Sequence, residues 1–294
     1  MHFIANDAYA DQVGHKSTPL ARIPNPKAHK GLMWVFVNIY ILWKVSSVAK
    51  TRFPNTDILL LSYETISFAV CRLLFSNLRR AYIFNHNNID QLEDSVVRRL
   101  LFRTLRAPTK HCVYELFIKE HLESFPKFEA LVISHPLVFN WTPQGCDKLI
   151  NIFSPHVLDS PKLTQLDRFA GDNKNFMIRA KFHKYINNTY LTTKPYFEDF
   201  NQELDRANIV LVFTKFKYRS SGVAYAAISS GRILIIQESL FSLDLAARYT
   251  DQVFLFSAID GLFDLLCQIA RDRSRIEIKK MDVDTSSIEK AIFS

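Results

Sequence analysis

Short runs of β-branched and aromatic residues alternate along this chain with stretches of helical period, and the alternation runs through twice. In the first half, residues 3–6, 57–62 (DILLLS), 81–84 (AYIF), 111–114 and 130–134 (ALVIS) read as strands. Helices are predicted between them over 66–75, 91–105 and 117–123. Leu92, Val96, Val97, Leu100, Leu101 and Leu105 fit one apolar face of helix 91–105. Residues 140–147 (NWTPQGCD) are rich in turn formers and read as a linker. Beyond it strands are predicted over 149–153, 175–179, 209–213 (IVLVF), 233–236 and 253–256. Helices are predicted over 163–169, 220–230, 243–249 and 259–270. Residues 271–294 are polar and charged, ending in an amphipathic turn or helix that can return to the first domain. Such alternation predicts an α/β protein with largely parallel sheets, in two domains spanning 1–145 and 146–294.

Composition supports a packed chain. Of 294 residues 48% are hydrophobic and 24 are phenylalanine, enough for a sizeable core, and seven glycines are few for an all-β protein. The most apolar stretch, 31–48, is interrupted by Asn38 and Lys44; it falls short of a membrane span and predicts a buried or membrane-skimming helix. The start, MHFIAND, lacks the basic and long apolar regions of a secretion signal, so a cytoplasmic chain is expected, with the inner face of the membrane as a further location. Cys71, Cys112, Cys146 and Cys267 are scattered without a CxxC pair or a metal-ligand spacing and read as reduced thiols. No metal is expected. The formal net charge of +8 suits an anionic partner: nucleic acid, an acidic membrane surface or a phosphorylated substrate. Charge does not choose among them, but no RNA-binding motif interleaves aromatics with the basic residues, and nucleic acid is not expected. There is no GxGxxG after a strand, no Walker A sequence, no HExxH and no GxSxG, which counts against nicotinamide-linked dehydrogenases, P-loop enzymes, zinc peptidases and α/β-hydrolases.

The most informative segment is 218–236, YRSSGVAYAAISSGRILII. A small-residue turn leads into a helix near Ser221, Gly231 ends that helix, and an apolar strand resumes. Amide groups at such a helix start bind phosphate oxygens, and Ser220, Ser221 and Gly222 stand where a phosphate would sit. An ordinary serine-capped αβ unit fits the same letters. Arg179, Lys181, Lys215, Lys217 and Arg219 are expected just after strand ends, where ligands of open α/β sheets bind; a solvated basic rim is the plainer alternative. In the first half His86, between Asn85 and Asn87, and His135 both follow strands directly, and Glu64 is the nearest carboxylate in a comparable place. The helix spanning 91–106 carries Arg98, Arg99, Arg103 and Arg106, which suit either solvent or a peripheral contact with an anionic membrane; the aromatic run 34–43 offers a second such contact or a buried helix.

In order and spacing these elements resemble bacterial GT-B glycosyltransferases of the "glycosyl transferases group 1" kind, which assemble surface polysaccharides. Residues 83–88 (IFNHNN) resemble the strand-then-His-Asn element of that family, 132–137 (VISHPL) is similar to its strand end before His-Pro, and 208–236 looks like its donor-site block. The resemblance implies two Rossmann-like domains facing across a cleft. The first would hold a glycan or lipid-linked acceptor, with His86 as the catalytic residue and Asn85, Asn87, His135 and Glu64 on the acceptor side. The second would bind a nucleotide sugar, with Ser220, Ser221 and Gly222 at the diphosphate, and Arg179 or Lys162 near the phosphates. No cofactor beyond the nucleotide-sugar co-substrate is implied. One departure matters: many members carry Glu-x7-Glu here, whereas this chain has Tyr218 and Ala226 at those places. It motivates an alternative, a catalytically inactive GT-B-like scaffold in a glycan assembly complex.

Overall fold

The computed structural model describes residues 5–6, 22–23, 31–54, 56–85, 88–133 and 149–272. Contacts divide the chain into two units, Met1–Ile133 and Ser134–Ser294. The boundary expected between 145 and 146, the linker 140–147 and the chain end beyond 272 lie outside the described residues.

In the first unit β1 (Ala5–Asn6) pairs in parallel with β2 (Arg22–Ile23). The main sheet is parallel, in the order β3 (Leu59–Leu60), β4 (Tyr82–Phe84), β5 (Lys110–Val113) and β6 (Glu129–Val132). Helix α1 (Gly31–Arg52) precedes it and α2 (Thr65–Leu74) follows β3. The helix that begins at residue 31 therefore continues four residues beyond the apolar stretch ending at 48, and α1 is long and apolar enough by length and composition to cross a membrane, contrary to the sequence reading. It is held to α2 by Ser67 Oγ–H, shared between the Glu64 carboxylate at 2.7 Å and the Val35 carbonyl at 3.2 Å, and to the following turn by Ser46 Oγ–H donating to Asn77 at 2.7 Å.

The single helix expected over 91–105 is broken. Ser95 is extended (φ −145°, ψ 114°) and its Oγ accepts from Arg98 N–H, so α3 (Gln91–Asp94) ends and α4 (Val96–Phe102) starts afresh, followed by a 3₁₀ turn at Arg103–Leu105. A serine N-cap satisfies an otherwise orphaned amide, which offsets the interruption. The break re-aims the predicted apolar face: Leu92, Phe102 and Leu105 are buried, but Val96, Val97 and Leu100 are exposed. Helix α5 (Leu116–Glu123) completes the unit.

The second unit is a seven-stranded sheet in the order β13-β12-β11-β7-β8-β10-β9. Its strands are β7 (Ile150–Val157), β8 (Phe176–Lys181), β9 (Ile186–Asn187), β10 (Leu191–Lys194), β11 (Ile209–Val212), β12 (Ile233–Gln237) and β13 (Val253–Phe256). All pair in parallel except the β9–β10 hairpin edge. Strands β11 (IVLV) and β12 (ILII before Gln237) are buried on both faces, as a central parallel sheet requires. Helices α6 (Ser160–Asp172) and α10 (Ile259–Arg271) share one face, where Leu163, Leu166, Leu262 and Leu266 cluster with Ile152, Ile178, Leu211 and Ile235. The Phe169 and Phe263 rings stack there at 4.6 Å. On the other face α7 (Phe200–Arg206) meets Phe153 through Phe200, while α8 (Gly222–Ser229) and α9 (Leu240–Arg248) meet through Tyr225 and Phe241. Gly231 closes α8: at φ +75° it lets its own N–H reach the Ile228 carbonyl (3.1 Å) and Arg232 N–H reach Ala227 (2.9 Å). The sequence reading did not predict β9, β10 or α7.

Candidate phosphate-binding site

The chain leaves β7 through α6 to β8 on one side, and leaves β11 through α8 to β12 on the other, yet β7 and β11 are neighbours. Ligands of open α/β sheets bind at the carboxyl ends of two strands so related, where the departing loops part. Here those loops are the end of β7 and residues 213–221.

The β7 end is irregular. Its register with β8 shifts between Ser154 and Val157, around Pro155 and His156. Such bulges re-aim a side chain. The His156 ring lies 6.0 Å from that of Phe216 in the β11 loop, and the Arg219 guanidinium lies 4.9 Å from the centroid of the same Phe216 ring. Burial first, then the charges of Arg219 and Lys181, hold the His156 imidazole below its ordinary pKa, so it is neutral at pH 7. Its Nδ1 has no hydrogen-bond partner among the described residues, and neither has the fully buried Ser154 Oγ. Lys181 ends β8, its carbonyl accepting from Leu158 N–H at 2.9 Å. The geometry therefore gathers Lys181 and Arg219 around a histidine that sequence reasoning missed, because it ended the strand at residue 153.

Helix α8 starts at the same end of the sheet. Ser221 is buried and extended, and its Oγ accepts from Ala224 N–H at 3.3 Å, so its hydroxyl serves as the N-cap. Gly222 is exposed, and a Cβ added there would meet nothing within 4 Å. First-turn amides of a helix lack intrahelical acceptors, and the dipole favours an anion in front of them. Ser221→Ala is expected to cost about 1 kcal/mol in urea unfolding, and Ser221→Gly only a few tenths, if the hydroxyl acts as a cap. Lys217 lies over the ring of Tyr218, 5.4 Å from its centroid. Lys162 is paired with Asp159 at the start of α6.

Arg179 is placed differently from the sequence expectation. It lies inside β8 rather than beyond it, and pairs with Glu203 of α7, Nε to Oε2 at 2.6 Å, while Nη1 donates to Asn151 at 3.2 Å. Its charge is met by its own fold. In the first unit Glu64 is buried and caps α2, accepting from the N–H groups of Ile66 and Ser67 and from Ser67 Oγ–H. Asn85 is buried, accepting from Tyr63 Oη–H at 2.6 Å and lying 3.1 Å from His111 Nδ1. His86, Asn87 and His135 lie outside the described residues. Among the described residues no three His, Cys, Asp or Glu side chains come together as a metal site.

This topology defines a Rossmann-like class of α/β unit. No family model matches the chain, and no curated protein matches it. Solved structures do. Anabaena HepE in complex with UDP-glucose is similar at 10% identity with a TM-score of 0.64, over 97% of this chain and 82% of HepE. TarM is similar at 12% identity and a TM-score of 0.57, over 83% of this chain and 52% of TarM. A chain of the glycosylation-associated Gap123 complex of Streptococcus agalactiae is similar at 13% and 0.53, over 86% of this chain and 54% of that one. This chain thus spans about half the length of the last two. At such identities the likeness shows the fold, and the fold is GT-B, with two Rossmann-like α/β units.

Proposed function

We propose that this chain is a glycosyltransferase that moves a sugar from a nucleotide-sugar donor to a glycan or lipid-linked acceptor, with the donor diphosphate held at the β7/β11 switch point. The observation that carries this reading is the convergence of Lys181, Arg219 and His156 with the N-terminus of α8 at that point. Cationic side chains and helix amides there stabilise the departing nucleoside diphosphate as its charge develops, without requiring a metal. Neutral His156 contributes an N–H or accepts a proton, and an anion beside it raises its pKa. HepE, similar in fold, is bound to UDP-glucose, which supports a nucleotide sugar as the ligand class. His86 remains the proposed catalytic residue on the acceptor side.

The test is a thermal-shift panel of UDP, GDP, ADP and CMP and their sugars. At a hundredfold over Kd a ligand stabilises by about 2.7 kcal/mol, several degrees in Tm. Gly222→Phe, which fills open space before α8, is expected to abolish the shift while leaving the unliganded Tm unchanged. No shift from any nucleotide overturns the reading.

A second reading has its own observation. Residues 214–236 contain no carboxylate, and Ala226 is buried inside α8 where the family's Glu would stand. A scaffold that keeps the fold without transfer fits this, and a chain of the Gap123 complex shares the fold. Nucleotide binding without turnover on any donor would select it.

A further inference from the structure

Among its described residues the first unit presents an apolar surface. On α1 the residues Leu32, Phe36, Tyr40 and Trp43 recur every three or four positions, a single stripe, and are 78%, 63%, 45% and 47% exposed. The adjoining flank of α1, which buries Leu42 and Ser46, is held to α2 by Ser67 Oγ against the Val35 carbonyl at 3.2 Å and by Cys71 Sγ–H against the Ile39 carbonyl at 3.8 Å. Helix α2 has α1 on one flank, α4 on another, and Phe68, Ala69 and Cys71 buried beneath; Val70, Leu73 and Leu74 are left outward. Helix α4 adds Val96, Val97 and Leu100, all more than half exposed. Three adjacent helices thus present outward apolar residues, the kind of surface that marks an interaction site when contiguous.

Charge selects the occupant. Residues 31–52, 65–80 and 96–106 hold ten Lys or Arg and no Asp or Glu. Arg98 and Arg103 flank the α4 stripe, and Lys50 and Arg52 end α1. Tryptophan and tyrosine beside apolar residues, bordered by arginine and lysine, match the interface of an anionic bilayer. Because one flank of α1 is held to α2 at Val35 and Ile39 and to the following turn at Ser46, that flank packs on protein and α1 is not ringed by lipid as a lone crossing helix is. We propose that the α1–α2–α4 layer docks this chain flat on an anionic membrane surface, with α1 lying in the interface plane. The inference does not depend on the donor site.

The experiment is vesicle flotation of the full chain. With phosphatidylcholine vesicles containing 30% phosphatidylglycerol the protein is expected to float, and partitioning should fall about tenfold on phosphatidylcholine alone or in high salt. Phe36→Glu with Leu100→Glu, both exposed positions, should abolish flotation while circular dichroism stays unchanged. Arg98→Glu with Arg103→Glu should weaken it about tenfold on the anionic vesicles only. Release by alkaline carbonate supports in-plane docking, and retention overturns it in favour of a spanning helix. Absence of flotation on either vesicle, flotation indifferent to the Phe36/Leu100 double change, or a dimer that the same change dissociates without vesicle binding, each overturns the proposal.

Discussion

Arg179→Ala is expected to destabilise the second unit by about 3–5 kcal/mol, without weakening nucleotide binding in whatever fraction stays folded. The cause is Glu203. Its side chain is 9% exposed and Arg179's is 13%, so deleting the guanidinium leaves a carboxylate desolvated with its cation gone. Removing both charges is a different matter. Arg179→Met with Glu203→Leu replaces the pair by apolar side chains of similar size between β8 and α7, and is expected to lie within about 1–2 kcal/mol of the parent. The gap between the single and double variants, read from urea unfolding, measures how far the pair is structural. Should Arg179→Ala cost less than about 1 kcal/mol and abolish the nucleotide-induced Tm shift, Arg179 belongs to the phosphate site after all. The contrast with Arg219 is the useful one: Arg219→Ala is expected to reduce the ligand shift far more than the unliganded Tm.

The same residue shows where the sequence is readable and where it is not. The run FMIRAK alternates buried and partly buried positions through residue 181, so Arg179 points off the sheet from within a strand. Ending the strand at 179 turned an in-strand ion pair into a strand-end cation. Strands buried on both faces were legible because their letters are continuously apolar: 209–212 and 233–237 were placed within a residue. The β9–β10 edge, INNTYLTTK, is mostly polar, and α7 has seven residues with two apolar ones, too short for a periodic signal. Ser95 hid the helix break because serine is tolerated inside a helix and also favoured at its start. Glu64 and Asn85 were noticed as polar residues after strands, and Ser221 as a helix start that either caps or meets a phosphate. Their side chains are taken up by capping or a buried network, which burial decides and spacing does not. His156 became a site residue only through strand order, since the adjacency of β7 and β11 is a tertiary fact with no local trace.

His111 supplies the strongest expected pH effect. It is fully buried beneath Phe102 and Phe128, whose rings lie 5.4 and 5.0 Å away. Its Nε2–H donates to the Leu105 carbonyl at 2.8 Å, leaving Nδ1 to accept from the Asn85 amide at 3.1 Å. Turning Asn85 to offer oxygen instead would give up the bonds it now makes, accepting from Tyr63 Oη–H at 2.6 Å and donating to the Ile83 carbonyl at 3.4 Å. A second proton on His111 would thus meet a donor, in a site without water-like screening. Burial pushes its pKa down to about 4, helped by the Arg72 charge and opposed by the Leu105 bond. The unfolded chain, with an ordinary imidazole near 6.5, binds the proton more readily throughout the interval between, so this contribution to stability is complete above about pH 6.5 and is lost as pH falls toward 4. At pH 4.5 the loss is about 2.5 kcal/mol relative to pH 7.5. The fluorescence of Trp34 and Trp43, both in the first unit, reports the transition in urea at the two pH values. His111→Gln keeps a donor and an acceptor but does not titrate; it should start from lower stability at pH 7.5 and lose about 2.5 kcal/mol less on acidification than the parent. Equal acid sensitivity in parent and variant would assign the loss to other groups, and would mean that His111 tolerates its second proton in the folded state.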